Sequence, residues 1–398
     1  MKDLKIFTKN IEEEAIKQIN ELLEQEAFKD SKVRIMPDVH AGKGCVIGFT
    51  GDLGNKVIPN IVGVDIGCGM LCVGLGQVDI DLKELDKVIH NYIPSGMNVN
   101  EEIYEYFDIS RLLCHKELKN KDEWLEKSLC SLGGGNHFIE IDVDEDNNKY
   151  LVIHTGSRNL GKQVAELYQE KAIKYCSYEK EMKEEREKII KEYKDQGKEK
   201  EIQQSLIEVN KKYEGKTKLP KDMCYLEGKL REDYLHDMKI CQEFASKNRE
   251  LIATKIINKL GLYLFIENHF ETIHNYIDFE DNIIRKGSIK ADKGKQVIIP
   301  MNMRDGCIIG IGKGNDDWNC SAPHGAGRIM SRMKAKMELS LTDFKESMKD
   351  VYTTSVCDET LDESPMVYKP MQEIIDNIKD TVDVIKIIKP IYNFKAKD

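Results

Sequence analysis

The residues best suited to chemistry in this chain are histidines that lie inside glycine-rich segments. Of the 28 glycines, 21 fall in three windows, residues 40–69, 133–161 and 287–327. Four of the nine histidines lie in the same windows, namely His40, His137, His154 and His324. Glycine allows a ligand to approach main-chain N–H groups closely. Because imidazoles can bind metal ions and carry protons, their coincidence with glycine predicts that the three windows form one site.

A carboxylate and a thiol complete the side chains of a candidate metal site. GVDIGCGM holds Asp65 and Cys68 three residues apart, between glycines. His137 lies in GGGNHFIE, His154 in LVIHTGSRNLG and His274 in NHFETIHNY. This mixture of donors suits Zn²⁺, Mn²⁺, Co²⁺ or Fe²⁺, whereas Mg²⁺ and Ca²⁺ prefer more oxygen ligands. Aspartate and cysteine can each bridge two ions, and paired ions favour phosphoryl transfer.

A basic segment around His324 has the features of a phosphate-binding site. SAPHGAGRIMSRMKAK places His324 on a turn between Pro323 and Gly325, with Arg328 and Arg332 following. We expect a helix here, on which the two arginines share one face because they are four residues apart. A glycine-rich turn that enters a helix presents free N–H groups to an anion. In a chain with a net charge of −10, this local positive charge predicts binding of several phosphates.

Short strands mixed with helices must position these side chains. The N-terminus has the pattern of an acidic amphipathic helix. Apolar and β-branched residues predict strands at Val33–Met36, Val46–Phe49, Ile61–Val64, Phe138–Val143, Tyr150–His154, Val297–Pro300 and Cys307–Ile311. This combination predicts an α/β fold (mixed α+β) with one catalytic body of mixed sheets and helices.

The segment between the second and third glycine-rich windows differs in composition. Residues 163–260 have a helical pattern, and 23 of the 40 residues from 179 to 218 are charged. Apolar residues recur in this charged stretch at spacings of three and four, which predicts a helical hairpin or coiled-coil arm with a solvated outer face. Plain surface helices packed on the body fit the pattern equally well. We expect no chemistry in the arm, and at most contact with a partner or a long substrate.

Length and composition exclude several classes of protein. The 398 residues are 40% hydrophobic and 33% charged, which excludes disorder across the whole chain. No apolar run approaches the ~20 residues that span a bilayer, and eleven cysteines without a secretory signal indicate a reducing compartment. The net charge of −10 argues against coating of nucleic acid through bulk charge but allows a local basic cleft. We therefore expect a cytoplasmic protein that does not contact membranes.

Seven motifs in order along the chain resemble the RtcB family of RNA ligases. They are PDVHAGKG, GVDIGCGM, GGGNHF, HTGSRNLG, RKGS, SAPHGAGRIMSR and DESPMVYKPM. The resemblance covers nearly the whole chain and implies one catalytic domain, residues 1–398, with the helical region 163–260 and its charged arm 179–218 inserted within it. It also implies that the protein joins an RNA 3′-phosphate or 2′,3′-cyclic phosphate to a 5′-hydroxyl, using GTP and two Mn²⁺ ions.

The resemblance further implies roles for individual residues. His324 takes GMP as a covalent histidine–GMP intermediate and passes it to the RNA 3′ end, which gives an activated RNA–ppG end. The implied metal ligands are Asp65, Cys68, His137, His154 and His274. The implied nucleotide contacts are Asn136, Phe138, Glu140, His274, Asn275, Pro300, Asn302, Met303, His324, Gly325, Ala326, Gly327, Tyr368 and Lys395. The implied contacts to RNA phosphates are Arg158, Arg249, Lys286, Arg328 and Arg332.

Besides two minor changes, RKGS for RKGA and HTGSR for HSGSR, the sequence departs from the family pattern in two places. PMNMRDG replaces a PGSMG-like turn, so that Asn302 stands where a serine is common, and the charged arm is longer than in the commonest members. These departures suggest a branch that repairs cleaved RNA rather than one that splices tRNA. Some relatives require an archease-type activator, which makes such a protein a candidate partner besides RNA.

Three other functions are compatible with the same residues. A binuclear metallophosphoesterase would use the aspartate, cysteine and histidine donors but would need no covalent histidine. An enzyme that caps nucleic-acid 3′-phosphate ends with a guanylyl group would share the histidine–GMP step and differ only in the final attack. A non-catalytic module that binds RNA ends is disfavoured, because simple phosphate binding does not need a thiolate donor.

Overall fold

Runs of strands and runs of helices follow one another along the chain, which the computed structural model describes for residues 3–262 and 268–396. The strands are β1 (Leu4–Ile6), β2 (Val33–His40), β3 (Ile47–Asp52), β4 (Lys56–Val57), β5 (Gly69–Gly76), β6 (Phe138–Val143), β7 (Lys149–Thr155), β8 (Leu226–Glu227), β9 (His269–Ile273), β10 (Asn275–Asp278), β11 (Ile283–Lys286), β12 (Ser288–Lys290), β13 (Gln296–Asn302), β14 (Gly306–Gly312), β15 (Ser321–Pro323) and β16 (Val382–Lys395). The helices are α1 (Glu13–Leu23), α2 (Pro59–Val62), α3 (Leu82–Tyr92), α4 (Asp122–Lys127), α5 (Arg158–Tyr175), α6 (Glu179–Asp195), α7 (Ile202–Tyr213), α8 (Gly228–Lys259), α9 (Arg332–Glu338), α10 (Leu341–Ser347) and α11 (Met371–Asn377).

Two large sheets form the body of the protein. The first has five strands in the order β1-β2-β3-β11-β10, and the second has seven in the order β13-β14-β16-β6-β7-β5-β9. All neighbours in both sheets are antiparallel except β1 and β2, which are parallel. The pairs β12–β15 and β4–β8 make two small ribbons. The predicted fold class, mixed α/β, is confirmed.

The seven-stranded sheet has apolar residues buried on both of its faces. On β7, Leu151 and Ile153 belong to the main hydrophobic core, together with α8 residues such as Ile252. Val152 belongs to a separate cluster that includes Ile298 of β13. Successive residues of a strand point to opposite faces, so β7 contributes to both clusters. Burial on both faces holds the strands that carry the site in a fixed position.

The register of the central strands brings one end of each to the same place. His154, near the end of β7, pairs with Phe138 at the start of β6 and with Met70 at the start of β5. Gly69 of β5 also pairs with Ile273 at the end of β9. The glycine-rich segments that precede β5 and β6 therefore meet the ends of β7 and β9 at one end of the sheet.

Four helices, α5 to α8, occupy most of the chain between β7 and β9. In α6 no residue is buried, and in α7 only Val209 is. These two helices contact each other through polar pairs, such as Lys212 with Glu185 at 2.7 Å and Arg186 with Asn210 at 2.7 Å. Exposed ion pairs contribute only about 0–1 kcal/mol each. The 32-residue α8 instead packs a buried face against β5 and β7.

Two expectations about local structure are wrong. Ile61–Val64 is not a strand, because Pro59–Val62 forms α2, and a proline at the first helical position has a φ suited to a helix. Gly63, at φ +92°, ends this helix. The acidic N-terminal helix begins only at Glu13, and Leu4–Ile6 forms a strand instead. Short apolar runs do not distinguish strand from helix by themselves. The other predicted strands are confirmed.

The cysteines form no disulfides. All eleven are free thiols, and nine of them are buried. Buried free cysteines commonly pack as small apolar side chains. Among the described residues, no helix is both long and apolar enough to cross a membrane.

Candidate active site

A cavity of about 850 Å³ is lined from both large sheets. His40 and Ile47 line it from the five-stranded sheet, and Phe138, Glu140 and Lys395 line it from the seven-stranded sheet. Small-molecule sites commonly measure roughly 300–1,000 Å³, so this cavity can hold a nucleotide. Every predicted nucleotide contact lines it: Asn136, Phe138, Glu140, His274, Asn275, Pro300, Asn302, Met303, His324, Gly325, Ala326, Gly327, Tyr368 and Lys395.

The five predicted metal ligands converge at this cavity. Cys68 Sγ lies 3.4 Å from Nε2 of His137 and 3.2 Å from Nε2 of His154. The Nε2 atoms of His154 and His274 are 3.3 Å apart, and Nε2 of His137 lies 3.0 Å from Oδ2 of Asp65. The side chains come from the loop before β5, the turn before β6, the end of β7 and the junction of β9 and β10. The register of the sheet thus assembles donors that are far apart in sequence.

The ring orientations leave lone pairs facing the centre of this cluster. Nδ1 of His137 lies 3.0 Å from the carbonyl oxygen of Leu132, and Nδ1 of His154 lies 3.2 Å from that of Asn136. A carbonyl oxygen only accepts, so each Nδ1 carries the hydrogen and each Nε2 has a free lone pair. Metal-bound histidines commonly donate their other N–H in this way. The donor set therefore fits a divalent transition-metal ion.

Burial favours the neutral forms of several of these side chains. It raises the pKa of the Cys68 thiol well above its usual value, and the Asp65 carboxylate raises it further. Burial also lowers the pKa values of His154 and His274, and neighbouring imidazoles add to the effect. His154 and His274 are therefore neutral and ready to bind a cation. The thiol must lose its proton to do so, which makes metal binding release a proton.

His324 lies beside the donor cluster and is oriented by an aspartate. Its ring centroid is 4.8 Å from that of His274. Nδ1 of His324 lies 2.6 Å from Oδ2 of Asp38, a fully buried carboxylate that also accepts the backbone N–H of His324 at 3.0 Å. The carboxylate holds the ring hydrogen on Nδ1 and leaves Nε2 free to act as a nucleophile. Sequence reasoning missed Asp38, whose only signal is its place in the PDVHAGKG motif.

A second missed residue, Glu363, gathers basic side chains at the cavity wall. Its Oε2 accepts from Nζ of Lys395 and from the hydroxyl of Tyr368, each at 2.6 Å. Its Oε1 lies 2.8 Å from Nη1 of Arg332 and 3.3 Å from Nη1 of Arg328. Burial opposes ionisation of this carboxyl, but the surrounding cations, Lys395 above all, lower the pKa of Glu363 to about 2. An ionised Glu363 therefore holds four of the predicted contact residues in place.

A buried pair of carboxyl groups adjoins the cavity. Glu140 and Asp142 of β6 lie with Cys307 of β14 so that one ligand atom from each is within 4.8 Å of the others. Oε1 of Glu140 accepts from Nδ2 of Asn393 at 2.6 Å, whereas neither oxygen of Asp142 has a hydrogen-bond partner among the described residues. Burial raises the pKa of Glu140 to about 7, and burial together with Glu140 raises that of Asp142. A proton or a shared cation must offset this buried charge.

The sequence is similar to known proteins over most of its length. Residues 25–115 and 110–396 match the protein family described as tRNA-splicing ligase RtcB. The chain belongs to the RtcB family of RNA ligases. It is 29% identical over 402 residues to the RNA-splicing ligase RtcB of Escherichia coli (strain K12), an alignment that covers 92% of this chain and 90% of that relative.

Archaeal RtcB proteins are also similar to this chain. The tRNA-splicing ligase RtcB of Nanoarchaeum equitans (strain Kin4-M) is 25% identical over 451 residues, covering 89% of this chain and 85% of the relative. The tRNA-splicing ligase RtcB of Aeropyrum pernix is 25% identical over 435 residues, covering 85% and 82%. The resemblance inferred from the motifs is thus confirmed.

Two of the predicted RNA contacts in this RtcB chain, Lys286 and Arg158, lie outside the cavity and are already engaged. Lys286 is buried, and its Nζ donates to the carbonyl oxygens of Lys43 at 2.6 Å and Asn60 at 3.2 Å. Arg158 is partly buried, and its Nε donates to the hydroxyl of Ser131 at 2.9 Å. Burial lowers the pKa of Arg158 to about 10. Both cations therefore bond loops outside the cavity, and their contact with RNA phosphates stays a prediction.

A third predicted RNA contact, Arg249, is fully buried. Its Nε donates to Oε1 of Glu271 at 2.5 Å, and its Nη1 donates to the carbonyl oxygens of Gly67 at 2.8 Å and Thr155 at 2.6 Å. These bonds tie α8 to the loop before β5 and to the end of β7. Arg249 is thus engaged within the protein, and its contact with RNA phosphates stays a prediction.

We expect Arg249→Met to destabilise the fold rather than to weaken RNA binding directly. The change removes one partner of a buried ion pair, a loss that costs about 3–5 kcal/mol, and leaves buried carbonyl oxygens unpaired. Urea unfolding measures the loss, with Arg111→Met as a control because Arg111 and its ion-pair partner Glu243 are both exposed. A stable Arg249→Met protein with reduced RNA affinity would contradict this assignment.

The remaining two predicted RNA contacts, Arg328 and Arg332, line the cavity, but not on one helical face. Helix α9 begins only at Arg332, and Arg328 lies in an isolated bridge with Tyr368. Gly327 has φ +74°, and a Cβ there would lie 2.4 Å from the carbonyl oxygen of Asp38. The HGAG segment is therefore an irregular turn packed on β2, and the expected helix N-terminus at this turn is absent.

Proposed function

We propose that this protein is a cytoplasmic RNA ligase that uses GTP and Mn²⁺ to join RNA 3′-phosphate or 2′,3′-cyclic phosphate ends to 5′-hydroxyl ends, in RNA repair or tRNA splicing. The observation that carries the proposal is the position of His324. Its Nδ1 is held by Asp38 at 2.6 Å, its ring adjoins that of His274 in the metal-ligand cluster, and it lines the cavity that holds all predicted nucleotide contacts.

In the first step, Nε2 of His324 attacks the α-phosphorus of GTP. An N–P bond forms, the bond to pyrophosphate breaks, and pyrophosphate leaves with the bonding electrons. The ring becomes positively charged as the bond forms, and the Asp38 carboxylate stabilises that charge through Nδ1–H. Lys395 and Arg328 line the same cavity and offset charge on the phosphate oxygens.

A divalent metal pair supplies Lewis-acid stabilisation of the phosphoryl oxygens when it is bound. The residues that would hold it are Asp65, Cys68, His137, His154 and His274. The family resemblance implies Mn²⁺, and the mixed sulfur, nitrogen and oxygen donors suit that ion. The carbonyl groups that accept Nδ1–H of His137 and His154 would keep the Nε2 lone pairs of these rings available to such ions.

Two further transfers complete the reaction. The RNA 3′-phosphate displaces His324 from GMP and forms an RNA–ppG end, and the 5′-hydroxyl of the second RNA then displaces GMP. A cyclic phosphate is first opened by hydrolysis. Each transfer brings anions together at a cost of about 4 kcal/mol per pair of unit charges at 4 Å near a protein surface. Arg328 and Arg332 lie at the cavity wall, where they can offset this repulsion.

A sealing assay with defined RNA ends tests the proposal. An RNA with a 3′-phosphate or a 2′,3′-cyclic phosphate and an RNA with a 5′-hydroxyl are incubated with the protein and Mn²⁺, with and without GTP and with and without an archease-type activator. We expect a joined product that requires GTP. Opening of the cyclic phosphate without GTP and without joining would instead indicate a metallophosphoesterase. Accumulation of RNA–ppG that is never sealed would indicate a capping enzyme.

We expect nucleotide affinity to fall as the pH drops below about 7. Glu140 lines the cavity, and its pKa is raised to about 7, so its carboxylate gains a proton below that pH and stops accepting from guanine N–H groups. The affinity should decrease by up to about tenfold per pH unit. Calorimetric titration with GMP in EDTA at several pH values measures this dependence. The Glu140→Gln variant should bind GMP more weakly and show no such pH dependence. An unchanged pH profile in Glu140→Gln would contradict this role.

A further inference from the structure

A second histidine faces the cavity and has no part in the steps described above. His40 is the last residue of β2 and lines the cavity together with His324. Its Nδ1 lies 2.9 Å from the main-chain carbonyl oxygen of Asp38. Because a carbonyl oxygen only accepts, the ring hydrogen is on Nδ1 and the lone pair is on Nε2. Among the described residues, Nε2 of His40 has no hydrogen-bond partner.

Asp38 orients both imidazoles at the same time. Its carboxylate accepts Nδ1–H of His324 at 2.6 Å, and its carbonyl oxygen accepts Nδ1–H of His40 at 2.9 Å. Both rings are thus held in the tautomer that leaves Nε2 free. A covalent intermediate needs only one such ring. A second fixed ring with a free basic nitrogen is what a proton-transfer step needs.

The surroundings of His40 keep its lone pair available. Burial lowers the pKa of His40 to about 4, and His324 and Arg328 also lower it, whereas the carbonyl and the carboxylate of Asp38 oppose the shift. The ring is therefore neutral at physiological pH. A neutral imidazole can accept a proton from a hydroxyl that approaches Nε2.

The position of His40 matches the attacking side of the sealing step. His40 belongs to the five-stranded sheet, as does Asn275 on β10, whereas most of the predicted nucleotide contacts that lie on strands, such as Phe138, Glu140 and Lys395, belong to the seven-stranded sheet. In an in-line phosphoryl transfer, the attacking and the leaving oxygen lie on opposite sides of phosphorus. With GMP held against the seven-stranded sheet, the attacking hydroxyl approaches from the side of His40.

We infer that His40 is the general base that accepts the proton of the RNA 5′-hydroxyl during sealing, an inference that rests on the ligase function proposed above. The 5′-oxygen forms a bond to the phosphorus of the RNA 3′-phosphate, and the bond from that phosphorus to the oxygen of GMP breaks. GMP leaves with the bonding electrons. The hydroxyl proton moves to Nε2 of His40 and from there to solvent.

The test separates sealing from guanylylation. Synthetic RNA–ppG and a 5′-hydroxyl RNA are supplied to the wild type and to His40→Ala, while transfer of GMP from GTP to His324 is measured in parallel. We expect sealing to slow by about 10²–10⁴-fold, the usual contribution of a general base, and guanylylation of His324 to stay unchanged. Added imidazole should restore part of the sealing by His40→Ala. His90→Ala is the matched control, because His90 lies on the exposed side of α3 and bonds Thr354.

Three results would overturn the inference. They are sealing of RNA–ppG by His40→Ala at the wild-type rate, a parallel loss of guanylylation and sealing, and no recovery of sealing with added imidazole. If His40→Ala fails to fold by circular dichroism, the same comparison is made with His40→Gln, which keeps a polar side chain. A wild type that never guanylylates His324 would remove the proposed function itself. Normal guanylylation with normal sealing in the His40 variants would remove only this inference.

Discussion

Asp38→Asn is expected to slow the transfer of GMP to His324 by roughly 10⁴-fold, the effect of replacing the carboxylate that orients a catalytic imidazole elsewhere. Oδ2 of Asp38 accepts Nδ1–H of His324 at 2.6 Å and two backbone N–H groups, those of His324 at 3.0 Å and Gly325 at 3.3 Å. An asparagine amide can instead donate to Nδ1, which moves the ring hydrogen to Nε2 and removes the nucleophilic lone pair. Labelling with radioactive GTP under single-turnover conditions measures the rate.

The neighbouring Asp52→Asn is the matched control for this change. Asp52 ends β3 in the same sheet, and its Oδ2 accepts the backbone N–H of Lys32 at 2.6 Å, away from the cavity. Asp52→Asn should guanylylate His324 at the wild-type rate. If Asp38→Asn guanylylated His324 at the same rate as the wild type, the proposed role of the Asp38 carboxylate in orienting His324 would be wrong.

Cys68→Ala is expected to remove most of the Mn²⁺ affinity and, with it, ligation. Cys68 Sγ lies within 3.4 Å of two histidine Nε2 atoms, His137 and His154, so it occupies the centre of the donor set. Loss of a residue that merely supports a ligand costs 10–100-fold in metal affinity or activity, so loss of the central ligand should cost more than about 100-fold. Electron paramagnetic resonance distinguishes free from bound Mn²⁺ and gives the affinity directly.

Cys72→Ala separates the metal role of Cys68 from loss of a buried thiol. Cys72 lies four residues further along on β5 and packs in an apolar cluster with Met70 and Ile298. The Cys72→Ala variant should bind Mn²⁺ with the affinity of the wild type. Wild-type affinity should also rise with pH, because burial and Asp65 raise the pKa of the Cys68 thiol and the ion displaces its proton. Normal Mn²⁺ binding by Cys68→Ala would contradict the donor set.

The composition of the site was predictable from sequence because its residues lie in motifs with unusual chemistry. Cys68, His137, His154 and His274 stand beside glycines or polar residues, and the structure brings all four together. The sequence could not show which strands would bring them together. That depends on the register by which His154 meets the starts of β5 and β6, and long-range pairing leaves no local pattern.

The sequence did not predict the carboxylates that act through a residue distant in the chain, Asp38 and Glu363. Asp38 stands 286 positions before His324 and reaches it only because β2 lies against β15. The only sequence signal of Glu363 is its place in the DESPMVYKPM motif, yet it accepts hydrogen bonds from Tyr368 of the same motif and from the distant Lys395. Such carboxylates are recognised only from the cations and rings that surround them in the fold.

Residue type alone does not show how the basic side chains are surrounded. Arg249 and Lys286 have the charge that RNA phosphates require, but both are buried, and each donates to main-chain carbonyl oxygens of other segments. Arg328 and Arg332 have the same charge and do line the cavity. Burial distinguishes the two pairs, and burial follows from packing that the sequence does not reveal.

The central claim is that one imidazole becomes covalently attached to GMP, and peptide mapping by mass spectrometry tests it most directly. The protein is incubated with GTP and Mn²⁺, digested at neutral pH and analysed for a guanylyl adduct. The account predicts one acid-labile adduct, on the peptide that contains His324, and none in His324→Ala. The absence of any adduct on the wild type, or an adduct that persists in His324→Ala, would contradict it.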